Sequence, residues 1–290
     1  MIQKIWGIVS ILAVILASCR EEGGGPAPAR QSPFSPRFAV YYGSHLKPGW
    51  LSHYDWVIVQ DTVHPSASDR PVYFAYLSLG EIDRDGPIAR SIQRLPGGLA
   101  SVTLRENVFW NSVVSDLRME VVRQALLTRV DRDVRQGYGG IFLDTLDSTI
   151  EYRRTHPRRG KGLRQALLTL VREIHGSYPG LHIIVNRGFE ILPVLANDIS
   201  GDLYEDFCSR YDENTKKYGL VPPEERREIL PFISRARTIN PSLAVLALDY
   251  DDPTHPMFLR RCQEMAKRFG FSHFVSDLAL DTTGLERSGR

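Results

Sequence analysis

The chain has 290 residues, of which 42% are hydrophobic and 24% are charged, the balance of an ordinary globular protein. This composition excludes a fibrous or wholly disordered chain, and the length allows one α/β barrel or two small domains. The formal net charge of +2 gives no support to nucleic-acid binding. We therefore expect a globular protein that does not bind nucleic acid.

The N-terminus resembles a bacterial lipoprotein signal. Lys4 supplies a positive charge, residues 5–16 are almost entirely apolar, and small residues precede Cys19. The apolar run is short for a membrane-spanning helix. Cleavage before Cys19 and lipid attachment to its thiol would anchor the mature protein to a bacterial membrane. Because Arg20 rather than aspartate follows, we expect the outer membrane, with the protein facing the periplasm or the exterior. An ordinary secretory signal is the alternative.

The rest of the chain divides into a tether and one domain. Glycine and proline are dense from Gly23 to Pro36, a composition typical of a flexible linker. We therefore predict a signal peptide over residues 1–18, an anchor cysteine and tether over 19–36, and a barrel domain over 37–290. Two cysteines, Cys208 and Cys262, remain in the domain, and we expect two buried free thiols because spacing alone does not show pairing.

From Phe38 onward, short apolar runs alternate with amphipathic helical patterns. Eight runs read as buried strands: Phe38–Tyr42, Trp56–Val59, Val72–Leu79, Gly140–Asp144, His182–Asn186, Gly201–Glu205, Ala244–Asp249 and His273–Ser276. Eight strands alternating with helices over about 250 residues predict an α/β fold, a single (β/α)8 TIM-type barrel. An open doubly wound sheet is the alternative, but no Gly-x-Gly-x-x-Gly follows the first strand.

Acidic side chains collect where the predicted strands end, although the whole chain is slightly basic. In the stretch 137–148, glycines lead into an apolar strand that stops at Asp144, and Asp147 follows. The carboxyl ends of barrel strands share the face on which barrel enzymes place their active sites. The polar residues that we expect there are Asp61, Ser78, Glu81, Asp144, Asp147, Asn186, Glu205 and Asp249.

Three interpretations of these carboxylates compete. Some cap helices or make turns, as aspartate commonly does in loops. A hard metal ion could use several of them, but no His-x-His or similar ligand pair stands at a strand end. A glycosidase needs two carboxylates flanking the scissile bond. Asp144 and Glu205 end the fourth and sixth predicted strands, and alternate strands point side chains into the same layer. We favour the glycosidase, with no metal and no cofactor.

Four motifs resemble glycoside hydrolase family 114, which comprises endo-α-1,4-polygalactosaminidases and includes the hydrolase domain of the Pel-polysaccharide system. They are Tyr76–Glu81, Gly137–Asp147, Val185–Gly188 and Tyr204–Glu205. The resemblance implies a (β/α)8 barrel whose catalytic pair is Asp144 and Glu205, with Asp147 as the alternative first carboxylate. Family members often have Asn-Gly where this chain has Asn186-Arg187, which places a cation near a site for a cationic polymer.

The resemblance implies an amino-sugar polysaccharide as the partner, and we expect a monomer. The acidic side chains at the strand ends, which line the mouth of the barrel, would attract ammonium groups. Aromatic side chains near them could stack on sugar faces or only pack in the core. The candidate substrate-binding residues are Tyr42, Asp61, Tyr76, Ser78, Glu81, Trp110, Asp147, Asn186, Tyr204, Asp249 and Tyr250. Asp144 would act as nucleophile and Glu205 as acid; retention or inversion stays open. A lipoprotein that binds polysaccharide without cleaving it is the competing function.

Overall fold

The computed structural model of the chain describes residues 34–43, 49–65, 70–282 and 284. The predicted signal peptide, the lipidation site Cys19 and most of the predicted tether lie outside the described residues. In the described part, the barrel strands are β1 (Phe38–Tyr41), β2 (Trp56–Val59), β3 (Val72–Ser78), β7 (Gly140–Asp144), β8 (His182–Asn186), β9 (Gly201–Glu205), β12 (Ala244–Tyr250) and β13 (Ser272–Ser276).

These eight strands of the described chain form one parallel sheet in sequence order, from β1 through β2, β3, β7, β8, β9 and β12 to β13. The two end strands lie side by side, since the rings of Phe38 and Phe274 are 5.8 Å apart. Beyond them, the Tyr42 amide donates to the Leu280 carbonyl. The sheet is thus a nearly closed barrel, and the (β/α)8 prediction is confirmed.

The barrel strands are buried on both faces, as parallel strands wrapped by helices must be. Every residue of β1, β2 and β12 is buried. Their sequences are correspondingly continuous apolar runs, for example Trp56–Val59. This is why sequence reading placed all eight strands to within one residue at either end.

The helices pack around the barrel: α1 (Pro87–Gln93), α2 (Glu120–Arg135), α3 (Leu146–Thr155), α4 (Leu163–Ser177), α5 (Leu192–Leu195), α6 (Pro223–Ile239) and α7 (Leu259–Phe269). In α4 the buried side chains recur at helical spacing, from Leu163 and Leu167 to Val171 and Ile174. None of the helices in the described ranges is long and apolar enough to cross a membrane.

Two hairpins inserted after barrel strands were missing from the sequence prediction. Strands β5 (Thr103–Asn107) and β6 (Ser112–Ser115) are antiparallel, and β6 also pairs with the short β4 (Glu81–Asp83). Strands β10 (Ser209–Asp212) and β11 (Lys217–Leu220) form the second hairpin. Neither β5 nor β10 is an apolar run, and β5 is only half-buried. A hydrophobic pattern therefore does not reveal them.

The prediction of two free thiols is wrong. Cys208 and Cys262 form a disulfide, with their Cα atoms 5.4 Å apart. The bond joins the segment after β9 to helix α7, which follows β12, the neighbour of β9 in the sheet. The two cysteines are 54 residues apart in sequence, so only the barrel topology brings them together. The disulfide ties down the segment that immediately follows Glu205.

Candidate active site

Asp144, Asn186 and Glu205 end the three adjacent strands β7, β8 and β9. The Asn186 amide nitrogen, Nδ2, donates to Asp144 Oδ1 at 2.9 Å and to Glu205 Oε2 at 2.8 Å. The two carboxylate oxygens are therefore separated by no more than the sum of those distances, 5.7 Å. Asn186 is only 6% exposed, so its position is fixed by packing. The structure thus brings the predicted catalytic pair together across one amide.

A tyrosine holds the other oxygen of each carboxylate. The Tyr76 hydroxyl donates to Asp144 Oδ2 at 2.8 Å, and the Tyr250 hydroxyl donates to Glu205 Oε1 at 2.5 Å. Tyr42 packs edge-on against Tyr76, with ring centroids 5.5 Å apart. Burial, followed by the nearby carboxylates, raises the pKa of all three tyrosines. The three tyrosines therefore stay protonated, and Tyr76 and Tyr250 keep the two acids oriented by the hydrogen bonds that they donate.

Glu205 has the environment of a general acid. Burial raises its pKa, and the charge of Asp144 raises it further. Hydrogen bonds from Tyr250 and Asn186 act in the opposite direction, since they favour the ionised form. The next residue, Asp206, has its pKa raised to about 7 by burial and by the charge of Glu205. The raised pKa favours the protonated form of Glu205, and a protonated acid facing Asp144 is the pair that glycosidase chemistry requires.

The chain turns sharply after each of these three strands. Thr145, Arg187 and Asp206 all have left-handed backbone conformations, with φ of 63°, 59° and 58°. Such conformations cost a non-glycine residue roughly 1 kcal/mol or more and cluster at functional sites. In each case the strained residue directly follows the side chain that points into the mouth. The strain marks the end of the barrel at which Asp144 and Glu205 are presented.

Arg187 and Asp147 form an ion pair at the edge of the pair of carboxylates, with Nε and Oδ2 3.6 Å apart. Arg187 also donates to the backbone carbonyl of Glu205 at 3.3 Å and lies over the ring of Phe189. Asp147 lies in the first turn of α3 and its side chain is more than half exposed. Asp144, by contrast, contacts Asn186 directly. The geometry therefore favours Asp144 over Asp147 as the first carboxylate.

Glu81 and Ser78 lie in a hydrogen-bond network beside the mouth. The Glu81 carboxylate accepts bonds from Asn107 Nδ2 at 3.1 Å, from Ser148 Oγ at 2.6 Å and from Ser112 Oγ. The Ser78 hydroxyl donates to the Glu81 backbone carbonyl. Glu81 is buried and its acceptors are used by the protein. Substrate binding by these two residues stays a prediction.

Asp249 is buried below the mouth. It accepts hydrogen bonds from the backbone amides of Cys208 and Ser209, and His273 Nε2 lies 2.9 Å from its other oxygen. Asp249, Cys208 and Cys262 form the one group in the described part of the chain with metal-ligand side chains in reach of each other. The disulfide occupies both sulfurs. Asp249 therefore orders the segment behind Glu205.

Two further candidate residues lie away from the carboxylate pair. Asp61 forms ion pairs with Arg129, at 2.6 Å, and with Arg132, both on α2. Tyr204 is buried and packs against Phe189, with ring centroids 4.8 Å apart. Both side chains are thus engaged by other residues of the protein. Their role as substrate contacts stays a prediction.

Trp110 lies at the tip of the β5–β6 hairpin and is 68% exposed. Phe109, beside it, is 65% exposed and touches it edge-on, with ring centroids 4.9 Å apart. Sequence reading noted Trp110 and overlooked Phe109. Two adjacent aromatic residues between polar segments were the available signal.

The sequence profile of glycoside-hydrolase family GH114 matches residues 59–289. The chain belongs to family GH114. The glycoside hydrolase domain of PelA from Pseudomonas aeruginosa is 33% identical, with a TM-score of 0.73, and the match covers 86% of this chain and 98% of that one. No curated protein sequence gives a significant match.

A second solved structure shares the fold of this GH114 chain. Aspergillus fumigatus Ega3, solved in complex with galactosamine, has a TM-score of 0.63 at 12% identity, and the match covers 89% of this chain and 98% of that one. At that identity the likeness concerns the fold alone. Family membership and the similarity to the PelA domain show that the chain is a glycosidase, which favours an enzyme over the non-catalytic binding protein.

Proposed function

We propose that this GH114 enzyme cleaves α-1,4-linked, galactosamine-containing polysaccharide, with Asp144 as nucleophile and Glu205 as general acid and base. The observation that carries the proposal is the Asn186 amide, which donates to one oxygen of each carboxylate. Asp144 also accepts a bond from Tyr76 and Glu205 one from Tyr250. Two acids so oriented and so close are the arrangement on which glycoside hydrolysis depends.

The spacing of the two acids supports a retaining mechanism. Retaining enzymes hold their carboxyl groups about 5–5.5 Å apart, whereas inverting enzymes leave about 6.5–9.5 Å for a water molecule. The oxygens of Asp144 and Glu205 that share Asn186 are at most 5.7 Å apart. Two carboxyl groups that share one donor atom lie close together, which favours the retaining arrangement.

The reaction would proceed in two displacements. Asp144 forms a bond to the anomeric carbon while the glycosidic bond breaks and Glu205 gives its proton to the leaving oxygen. Glu205, now a carboxylate, then takes a proton from water, whose oxygen attacks the same carbon and releases Asp144. Burial and the Asp144 charge raise the pKa of Glu205, which favours the protonated form that the first step needs.

The charge of the mouth supports an amino sugar as substrate. Asp144 and Asp147 lie at the end of β7 and just after it, and Glu205 and Asp206 at the end of β9 and just after it. Arg187 pairs with the Asp147 carboxylate and donates to the backbone carbonyl of Glu205. Galactosamine units without acetyl groups carry an ammonium group, which an acidic cleft concentrates by electrostatic attraction. Arg187 neutralises part of the acidic charge. It would therefore influence how many acetylated, uncharged units the site accepts.

The test is cleavage of partly N-acetylated α-1,4-polygalactosamine by the purified protein, measured as new reducing ends. The wild type should release oligosaccharides, and Asp144→Asn and Glu205→Gln should each lose at least 10³-fold, on the order expected for a missing nucleophile or acid. Glu228→Gln, at an exposed acid of α6, is the control. Release by either site variant at the wild-type rate would remove that residue from the pair.

The cellular setting is also part of the proposal. Lipid attachment at Cys19 would hold the enzyme, as a monomer, on the outer membrane, where secreted polysaccharide is accessible. Labelling cells with a radioactive fatty acid tests this, because Cys19→Ala should lose the label and leave the membrane fraction. A labelled Cys19→Ala variant would contradict the anchor without affecting the proposed reaction.

A further inference from the structure

We infer that the tip of the β5–β6 hairpin is a distal binding platform for the amino-sugar polymer, several sugar units away from the bond that is cut. The inference rests on the proposed function and extends it to a surface outside the catalytic centre. The platform is formed by Phe109 and Trp110, whose rings are both about two-thirds exposed and touch edge-on. Exposed aromatic pairs of this kind mark interaction sites on soluble proteins.

The hairpin stands on the catalytic face of the barrel. Strand β4, to which it pairs, begins at Glu81, three residues after β3 ends at Ser78. The Leu79 amide donates to the carbonyl of Asp144 at 2.9 Å, and the Ser115 amide of β6 donates to the Gly80 carbonyl at 2.9 Å. The hairpin is thus bonded to the strand ends that carry the nucleophile.

The base of the hairpin is fixed by the buried Glu81 carboxylate. It receives bonds from Asn107, at the end of β5, and from Ser112, at the start of β6. It also receives one from Ser148, on the helix that follows Asp144. Charge-assisted bonds to a buried carboxylate are strong and directional. The four-residue tip therefore has a fixed position relative to the active site.

The tip itself is held by Asn111, which has a left-handed φ of 48°. Its side-chain amide donates to Asp85 at 2.8 Å, and its carbonyl accepts the Arg84 amide at 3.0 Å. The tip begins three residues beyond the β6 residue that pairs with Glu81, or roughly 10 Å at strand rise. Phe109 and Trp110 thus lie beyond the mouth, on a turn that these hydrogen bonds hold in place.

Amino sugars offer two groups that such a platform can bind. One face of a pyranose ring consists largely of C–H bonds, and burying it against an aromatic ring removes apolar area from water. The ammonium group of an unacetylated unit is attracted to the face of a tryptophan ring. Trp110, beside Phe109, can supply both interactions, and a stacked unit needs no hydrogen bond from the tip.

The charges around the tip favour a polysaccharide over a membrane as the occupant. Arg84 pairs with Glu106 at 2.8 Å, and Arg105 pairs with Glu151 at 3.0 Å. Segments that lie on anionic bilayers carry an excess of lysine and arginine around their apolar side chains. The arginines beside this tip are neutralised by their partners, so attraction to an anionic bilayer is weak.

The experiment compares a long and a short substrate. In the double variant Phe109→Ala/Trp110→Ala, we expect KM for partly N-acetylated polygalactosamine to rise roughly two- to thirtyfold, the range of one cation–π contact. Cleavage of a galactosamine trimer should stay within about twofold, because a trimer across the cleavage point leaves the tip unoccupied. Ile239→Ala, at the end of α6, removes an exposed apolar side chain from the opposite end of the barrel and should change neither.

Binding without turnover separates this inference from the proposed function. In a Glu205→Gln background, polymer should quench the Trp110 contribution to fluorescence, measured as the difference from Trp110→Phe. Quenching without any cleavage by the wild type would overturn the function and keep the platform. An unchanged KM in the double variant, or an equal loss on polymer and trimer, would overturn the platform. Loss of binding to phosphatidylglycerol vesicles with polymer binding intact would assign the tip to a membrane instead.

Discussion

Asp144 and Glu205 accept hydrogen bonds from the same atom, Nδ2 of Asn186. A single side chain on the strand between them therefore sets the separation of the two carboxylates and the direction in which each points. Neighbouring carboxylates repel when both are ionised, and a shared donor reduces that repulsion. Asn186 is thus a positioning residue for both carboxylates.

Replacing Asn186 with alanine should lower kcat on the order of hundredfold, the cost of misplacing a reacting group by about 1 Å. The Asn186 hydrogen bond lowers the pKa of Glu205, so its loss raises that pKa further. Activity needs protonated Glu205, so the alkaline limb of the pH–rate profile should move to higher pH. A profile that loses height without moving would assign Asn186 to substrate binding alone. Asn240→Ala, at the far end of α6, is the control.

Tyr76 and Tyr250, which each donate a hydrogen bond to one of the two carboxylates, should respond differently to replacement by phenylalanine. Tyr250→Phe removes a donor that lowers the pKa of Glu205, so the alkaline limb of the pH–rate profile should move to higher pH. Tyr76→Phe removes the donor to Asp144 and should lower kcat roughly tenfold with the limb unmoved. Profiles of kcat/KM against pH check both. If the limb moves in Tyr76→Phe instead, the roles of the two acids are reversed.

How far the sequence predicts this site depends on the range of the interactions. Asp144 and Glu205 end continuous apolar runs that read as buried strands, so the hydrophobic pattern of the sequence alone predicts that both lie at the catalytic face. The shared contact of Asn186 is not a local property, because it depends on the pleat of three strands that lie far apart in sequence. The Cys208–Cys262 bond was missed for the same reason.

The β5–β6 hairpin was missed for a different reason. Strand β5 is polar and only partly buried, whereas β6 is fully buried but has only four residues, Ser-Val-Val-Ser. The hairpin is also held by pairing with β4 and by the Glu81 bonds. Binary patterning detects elements that bury one face. A polar five-residue strand followed by a four-residue one is too short to give such a pattern, although the adjacent Phe109 and Trp110 mark the turn as unusual.

Asp202, on β9, should make the stability of the protein depend on pH. It is fully buried, neither of its oxygens has a hydrogen-bond partner, and burial raises its pKa well above the ordinary value. The folded state keeps this proton after the unfolded chain has lost it. Stability therefore falls as pH rises above about 4, at up to about 1.4 kcal/mol per pH unit.

Asp202→Asn should remove this dependence. Its melting temperature should exceed that of the wild type at pH 7, and the difference should shrink toward pH 4, because protonated aspartate and asparagine are then equally uncharged. Thermal unfolding followed by circular dichroism at several pH values checks the result. Glu228→Gln, at an exposed carboxylate, should give no trend. A constant difference between wild type and Asp202→Asn would show that Asp202 is ionised in the folded protein.

The left-handed conformation of Arg187 predicts an unusual order of two variants. Arg187→Ala and Arg187→Gly remove the same ion pair with Asp147, but glycine tolerates a φ of 59° and alanine does not. The glycine variant should be more stable by about 1 kcal/mol in urea unfolding. At Arg94, where φ is −78°, the same two substitutions should not favour glycine. Greater stability of Arg187→Ala would mean that the turn relaxes when the arginine is lost.

The covalent step is the most direct test of the account. An activated α-galactosaminyl fluoride does not need an acid for its leaving group, whereas hydrolysis of the glycosyl-enzyme needs a base. The Glu205→Gln variant should therefore accumulate a covalent adduct, and mass spectrometry of the digested protein should place one sugar on Asp144. A sugar on Asp147, or rapid release of the inverted sugar with no adduct, would contradict the proposed nucleophile and the retaining mechanism.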